Sequence, residues 1–342
     1  MAPSDSAVAK LQKLAYDALN AYFEEHVDAV IEIEILPPAI QPPDGILMKD
    51  GSNLGVPKKI LALAFVEARK LFFEKAHDNK TSALQATKVM LLFDPEHLTA
   101  AHFRKRRLLE LKSEVETDSS TEYQEALQQE LCFLNSILTS PLHRQSKSPT
   151  LWYHRLWLVT LLMPIKKHAT QDQITAFWQS ELDAVCRSGE QHPKNYYAWQ
   201  YARRLVERLD STNIVLAFSH SVKEWCCKHP SDISGWSFLQ FLMMRLDPVV
   251  KRLEIAKDVL SYALDLQAEQ ESLWVFLRTV LAHDTLQDGR DEIIEGLHNH
   301  SEDVESIGKP PALSHRITQT LQWVQTYGGS VMVIKPTSTT RS

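Results

Sequence analysis

Glycine is scarce in this chain, with 10 residues in 342. Strand-rich folds use glycine in turns and bulges, so its shortage argues against a sheet-dominated protein and for helices joined by short turns. Cysteine is scarcer. Cys132, Cys186, Cys226 and Cys227 form no C-x-x-C pair, which excludes a disulfide frame and suits reduced, buried thiols in an intracellular protein. Cys226-Cys227 with His229 does not make a zinc site, because adjacent cysteines point to different helix faces and no second ligand pair follows. An excess of positive charge is also lacking: 37 Lys and Arg against 43 Asp and Glu leave a net charge of −6. Phosphate-backbone binding needs a concentrated positive field, so nucleic acid is not an expected partner. The one basic cluster, Arg104-Lys105-Arg106-Arg107, falls in a helix and reads as a solvated face with one or two inward residues. No apolar run approaches the length of a bilayer span, residues 1–30 are charged and amphipathic unlike a leader, and Thr340-Arg341-Ser342 is no prenylation box. A soluble, cytoplasmic protein is expected. Metal-ligand spacing, a glycine-rich phosphate loop and a nucleophile motif are all missing, and His97, His102 and His168 stand in no ligand pattern, so an enzyme acting alone is the weakest reading.

What the chain has is a repeat. His192-Pro193-Lys194-Asn195-Tyr196-Tyr197-Ala198-Trp199-Gln200 runs into Arg203-Arg204-Leu205. Asp94-Pro95 leads six residues on to Ala101, and then to His102-Phe103-Arg104-Lys105. Ser148-Pro149 leads to Trp152-Tyr153-His154-Arg155 in a version three residues shorter. His229-Pro230 leads six on to Trp236, and a final copy has Trp274 with Arg278 four residues later. The anchors 101, 152, 199, 236 and 274 are 51, 47, 37 and 38 residues apart. A period in this range, with one proline break and one aromatic anchor, marks a helical-repeat protein whose units pack on their neighbours.

Each copy reads as two helices. The first runs up to the proline, at 81–93, 122–139, 172–190, 212–228 and 249–267. The second carries the anchor, at 96–111, 150–163, 195–209, 232–246 and 271–283. Proline forces the residue before it out of the helical region, and its own fixed φ suits the next helix start. Helices are also expected over 7–29, 58–76 and 312–326. Ile31-Glu32-Ile33-Glu34-Ile35 alternates as a strand or extended segment, and Asp50-Gly51 marks a turn, so 31–57 is the clearly non-helical stretch, expected to run extended along the first helices. Loops are expected at 114–121 and 164–172, and an acidic, poorly periodic stretch at 284–310. The domain plan is 1–57, an N-terminal helix and extended segment; 58–326, helical repeats; and 327–342, a flexible tail in which 331–334 could dock as a strand.

Positions i, i+3, i+4 and i+7 share a helix face. From Trp199 they are Ala202, Arg203 and Val206; from Trp152, Arg155, Leu156 and Val159; from Trp236, Leu239, Gln240 and Met243. Trp152, Trp199, Trp236 and Trp274 are therefore expected in the core as repeat anchors. The arginines are expected to lay their stems on aromatic rings and to find carbonyl or carboxylate partners between adjacent repeats. Lys194, Asn195 and Tyr196 occupy a junction and a first helical turn. They read equally as a capping Asn with a surface Lys, or as groups offered to an anion near a helix N-terminus.

Proline, then Lys-Asn-Tyr, then Trp, then basic residues, repeated about five times, resembles the α-subunit repeat of protein prenyltransferases. PKNYYAWQYARRL at 193–205 is the best copy, beside DPEHLTAAHFRKRRLL at 94–109, SPTLWYHRLWLV at 148–159, HPSDISGWSFLQFLM at 229–243 and ESLWVFL at 271–277. Within that superfamily the chain resembles the branch of α-subunit repeat-containing proteins, in the shortened SPTLWYHRLW copy and around Ile33–Pro37 and Asn53-Leu54-Gly55-Val56. The resemblance implies an all-α fold, a right-handed α-α superhelix or crescent of about five helical hairpins with a short extended N-terminal segment. It implies a partner β subunit, of the Rab geranylgeranyltransferase kind, that holds zinc and the isoprenyl diphosphate. This chain would be the non-catalytic subunit of a type III geranylgeranyltransferase acting on a C-terminal protein cysteine, such as that of an already lipidated SNARE. A zinc-bound thiolate attacks C1 of the isoprenyl diphosphate, and a lysine at the mouth stabilises the leaving group. In conventional α subunits that lysine belongs to the second repeat, which here reads Lys147-Ser148-Pro149-Thr150-Leu151-Trp152 with no lysine in register. The resemblance carries partner-facing or site-edge roles onto His154, Arg155, Lys194, Asn195, Tyr196, Tyr197 and Arg203, with Lys194 assisting on the diphosphate side. No cofactor or metal is assigned to this chain itself. The alternative is a helical-repeat scaffold for protein–protein interaction without an enzymatic partner.

Overall fold

The structure is a computed structural model that describes residues 5–114, 121–165, 169–209, 211–307 and 311–328. The expected tail beyond 328, with its strand at 331–334, and the centre of the 114–121 loop lie outside the described residues. The helices are α1 Asp5–Glu25, α2 Lys58–Lys75, α3 Lys80–Phe93, α4 Leu98–Glu114, α5 Thr121–Leu138, α6 His143–Ser146, α7 Pro149–Ile165, α8 Gln171–Gln191, α9 Tyr196–Val206, α10 Thr212–Lys228, α11 Ile233–Met243, α12 Val249–Asp265, α13 Glu271–Ala282, α14 Gln287–Ile307 and α15 Pro311–Tyr327. The protein is mostly helical, and its paired helices follow the repeat boundaries. The acidic stretch with little periodicity is a 3-10 turn at Asp284–Leu286 followed by α14.

One expectation needs correction. The extended N-terminal segment does not simply run along the helices; it builds a three-stranded sheet from β1 Glu32–Leu36, β2 Met48–Asp50 and β3 Asn53–Pro57, in the order β1-β3-β2. β1 and β3 are parallel, with Ile33 opposite Leu54 and Ile35 opposite Val56, while β2 returns antiparallel through the Gly51 turn, where φ is +55°. The alternation buries Ile33 and leaves Glu34 outside. The free edge of β1 would strand its N–H groups. One hydroxyl on α5 and one just beyond its end satisfy them instead: Ile31 N–H donates to Ser136 Oγ at 3.0 Å and Ile33 N–H to Ser140 Oγ at 2.8 Å.

The chain divides into two compact units, Met1–Leu205 and Val206–Ser342. In the first, α1 and α3 pack on α2, and α4, α5 and α7 follow as layers. In the second, α11 packs between α10 and α13, with α15 on α13. Residues ahead of the junction prolines leave the helical region as expected: Asp94 at φ −125°, ψ 91°; His192 at −138°, 88°; His229 at −127°, 58°. The following anchors are buried, with Trp199 and Trp274 at 0% exposure, Trp236 at 1% and Trp152 at 3%.

Three of the four anchor indoles also close their junctions. Trp152 Nε1–H donates to Ser146 O at 2.7 Å, Trp236 to Pro230 O at 3.0 Å and Trp274 to Ala268 O at 2.7 Å, each six residues upstream. The six-residue step from junction to anchor is thus a hydrogen-bond distance. It survives in the second copy, although the proline there stands three residues closer. Gly235 permits the tight α10–α11 contact, since a Cβ there would lie 2.7 Å from the Trp225 ring.

Candidate functional site

The Lys194-Asn195-Tyr196-Tyr197 text forms the junction between α8 and α9, and its four residues part company. Asn195 is wholly buried. Its Nδ2 donates to Ser146 O at 2.9 Å and to Ser188 Oγ at 3.0 Å, while Oδ1 receives Ala198 N–H at 3.4 Å as an N-cap. One amide therefore ties the segment before α7, the end of α8 and the start of α9. Lys194 is exposed and sits at φ +62°, in the left-handed region that favours glycine. Tyr196 and Tyr197 are 60% and 38% exposed, with their rings edge to face at 5.5 Å.

These tyrosines line a pocket of about 100 Å³ between α7 and α9, with Trp152, Tyr153, Tyr201 and Arg204 among its walls. Arg204 stacks over Tyr153 at 4.7 Å from the ring centre, and its guanidinium donates to Tyr153 Oη at 3.1 Å. Trp152 and Tyr201 lie 5.0 Å apart beside it. Sequence reasoning singled out Arg203, which does not line this pocket; burial lowers its pKa. Arg204 and Tyr153 were missed. A signal existed, because 196, 197, 200, 201 and 204 form a helical stripe of their own beside the buried face of Trp199.

His154 and Arg155, given edge roles by the resemblance, lie beneath the surface at 0% and 1% exposure. Arg155 Nε and Nη2 grip Glu181 at 3.0 Å each, and its Nε also donates to Tyr201 Oη at 3.2 Å. The Tyr201 hydroxyl donates to Glu181 in turn. Burial and the Glu181 charge push the Tyr201 phenol far up, so it stays a neutral donor. The ion pair thereby fixes a wall of the aromatic pocket. Arg104 makes the same link one repeat earlier: Nε donates to Glu130 at 2.9 Å, Nη1 to Thr87 Oγ1 at 2.9 Å, and the guanidinium stacks on Phe133 at 4.4 Å. Both pairs join an anchor helix to the first helix of the next repeat, with the partners 26 positions apart. The arginines expected to find carboxylates between repeats do so at 104 and 155. The later copies place buried Ala202, Leu239 and Leu277 at the equivalent anchor+3 position.

Burial pulls His154 down to about 4, and its Nε2 lies 3.2 Å from Glu130 Oε1 without a directed hydrogen bond. Burial opposes ionisation of Glu130, but the Arg104 guanidinium outweighs it and holds the carboxyl below its ordinary value. Burial also raises Cys186 to about 12 and Cys227 to about 11, so these thiols are poor nucleophiles. Among the described residues no group of three His, Cys, Asp or Glu is placed to hold a metal, and no helix is long and apolar enough to cross a membrane.

Residues 151–249, which contain this site, match the family model of the ECM9 middle domain. The chain is 26% identical over 204 residues to protein prenyltransferase alpha subunit repeat-containing protein 1-A of Xenopus laevis, covering 54% of this chain and 42% of that protein. It is 25% identical over 219 residues to geranylgeranyl transferase type-2 subunit alpha of Saccharomyces cerevisiae, covering 61% of each. To Protein ECM9 of the same yeast it is 26% identical over 235 residues, 67% of this chain and 58% of that one. The chain spans less than two thirds of the length of each of these relatives. It is a homologue of the prenyltransferase α-subunit repeat-containing proteins and of ECM9.

Proposed function

We propose that this homologue of the α-subunit repeat proteins is the α-type, non-catalytic subunit of a heterodimeric protein prenyltransferase, a type III geranylgeranyltransferase of the cytoplasm. In this reading the helical hairpins of 58–326 continue as a right-handed α-α superhelix, and a β subunit of the Rab geranylgeranyltransferase kind seats against it. The β subunit would bring the zinc, which holds the C-terminal cysteine of the protein substrate as a thiolate, and the isoprenyl diphosphate, which supplies the lipid.

The contribution of this chain is positional. Asn195 locks the junction from inside, so that Lys194 and the two tyrosines stand outward on a rigid base. A lysine ammonium beside a departing diphosphate stabilises the charge that develops there. Tyr196, Tyr197 and Tyr153 offer aromatic area with little side-chain entropy to lose, a composition suited to a protein interface. His154, Arg155 and Arg203 act from behind this surface. The observation that carries the reading is this junction: the Lys-Asn-Tyr text of prenyltransferase α subunits occurs with a buried clamp and exposed tyrosines. Similarity to a geranylgeranyl transferase type-2 α subunit over 61% of the chain supports it independently.

A non-enzymatic scaffold is the second reading, and one observation favours it. The second repeat has no lysine in register at the junction; Ser148 and Thr150 there donate to Glu96 instead. Co-expression with Rab geranylgeranyltransferase β subunit tests the assignment, and a stable complex through affinity and size-exclusion steps is the expected result. Failure to pair with that or any other prenyltransferase β subunit leaves the scaffold.

A further inference from the structure

α2, the turn into α3, and α4 enclose a second groove of about 380 Å³, built from residues that the prenyltransferase reading does not use. Its floor is aromatic. Phe72 and Phe103 are 3% exposed and meet edge on at 5.2 Å, while Phe73, beside Phe72 at 5.2 Å, is 57% exposed. Its rim is cationic in a chain that is acidic as a whole. Arg106 lies over Phe103 at 5.6 Å and Arg69 over Phe73 at 5.8 Å. Lys80 and Arg107 share Glu110, the carboxylate that lines the groove. Arg69 and Arg106 have no carboxylate within ion-pair distance among the described residues, and their guanidiniums rest on phenyl rings alone.

A stacked guanidinium keeps its N–H fork available for a carboxylate, and an open phenyl floor takes an apolar side chain. We propose that this groove docks an acidic segment of a partner protein, with one large apolar side chain on the Phe72–Phe73–Phe103 floor and flanking Asp or Glu on Arg69 and Arg106. Charge complementarity selects the occupant, because the rim is a local inversion of the net charge. A bilayer surface fits less well: an anionic headgroup layer would meet the rim, but not the recessed phenyl floor.

The test uses the full chain and fluorescein-labelled peptides of about twelve residues, Asp and Glu around a central Phe, Leu or Trp. Anisotropy should rise saturably with at least one of them. Binding should weaken as salt increases. It should fall about tenfold or more in Arg106→Glu, which amounts to about 1.4 kcal/mol. Phe73→Ser should weaken it similarly, and a peptide with serine at the centre, or with lysine for its acids, should not bind. Arg106 and Phe73 are exposed, so unchanged thermal melts are expected of both variants. The proposal is overturned if no acidic–apolar peptide binds, or if binding is the same in Arg106→Glu. It is also overturned if phosphatidylserine vesicles bind with Arg106 dependence while the peptides do not.

Discussion

Arg155 shows how a motif residue can serve a site without touching a ligand. Its guanidinium is buried with Glu181, Tyr201 and Asn135, and every strong donor has an acceptor. Removing one member leaves an uncompensated buried charge, so Arg155→Ala should cost about 3–5 kcal/mol in urea unfolding. Arg155→Met with Glu181→Leu should recover most of that loss, because the desolvation penalty goes with the pair. His154 sets a different test. Its pKa is about 4 folded against 6.5 ordinarily, so the unfolded chain takes up the proton first as pH falls. Stability from this group is complete above about pH 6.5 and drains away towards pH 4, at about 1.4 kcal/mol per pH unit and roughly 3 kcal/mol in all. His154→Gln should flatten the stability–pH curve across that window. At Lys194 the left-handed backbone costs an L-residue about 1–2 kcal/mol, so Lys194→Gly should be neutral or stabilising in thermal melts. The same variant should lower transfer activity, a separation that a purely structural lysine would not give.

At the scale of elements, the repeat is a rule about junctions. A proline marks four of the five junctions, and at Trp152, Trp236 and Trp274 an indole N–H six residues after the junction carbonyl fastens the next helix. Trp236→Ala should cost about 3–5 kcal/mol, the range for a buried aromatic, with a further loss from the freed Pro230 carbonyl. Trp236→Phe should keep most of the burial and lose only the hydrogen bond, about 1 kcal/mol. These junctions were legible in the sequence because proline geometry and helical periodicity are local properties. The sheet was legible only as alternation. Its outer edge is capped by Ser136 and Ser140, more than a hundred residues away from the strand, and no local pattern announces two serines as a strand partner. The carboxylates Glu130 and Glu181 fall between these cases. Each is buried and unremarkable in its own helix, yet the shared 26-residue step from Arg104 and Arg155 is written in the chain. The Tyr153–Arg204 contact is not legible in either copy by itself, because it joins two of them.

For the molecule as a whole, the two buried arginine–glutamate pairs lie within the unit Met1–Leu205, and at the equivalent position the copies at Trp236 and Trp274 place apolar residues, while the ion pairs between helices of the second unit, such as Lys223–Asp258, lie nearer the surface. The charged links thus hold the region that also carries the aromatic pocket, where side chains must be positioned as well as buried. An interface role gives this division a purpose, since a partner subunit needs a rigid surface under its contacts. The most direct measurement is geranylgeranyl transfer to a protein substrate by this chain together with the Rab-type β subunit, and by each chain alone. The account predicts transfer only by the pair, reduced in Lys194→Ala and in Tyr196→Ala while the complex persists. Transfer by the β subunit alone at the same rate, or none by a stable pair supplied with geranylgeranyl diphosphate and substrate, would contradict it.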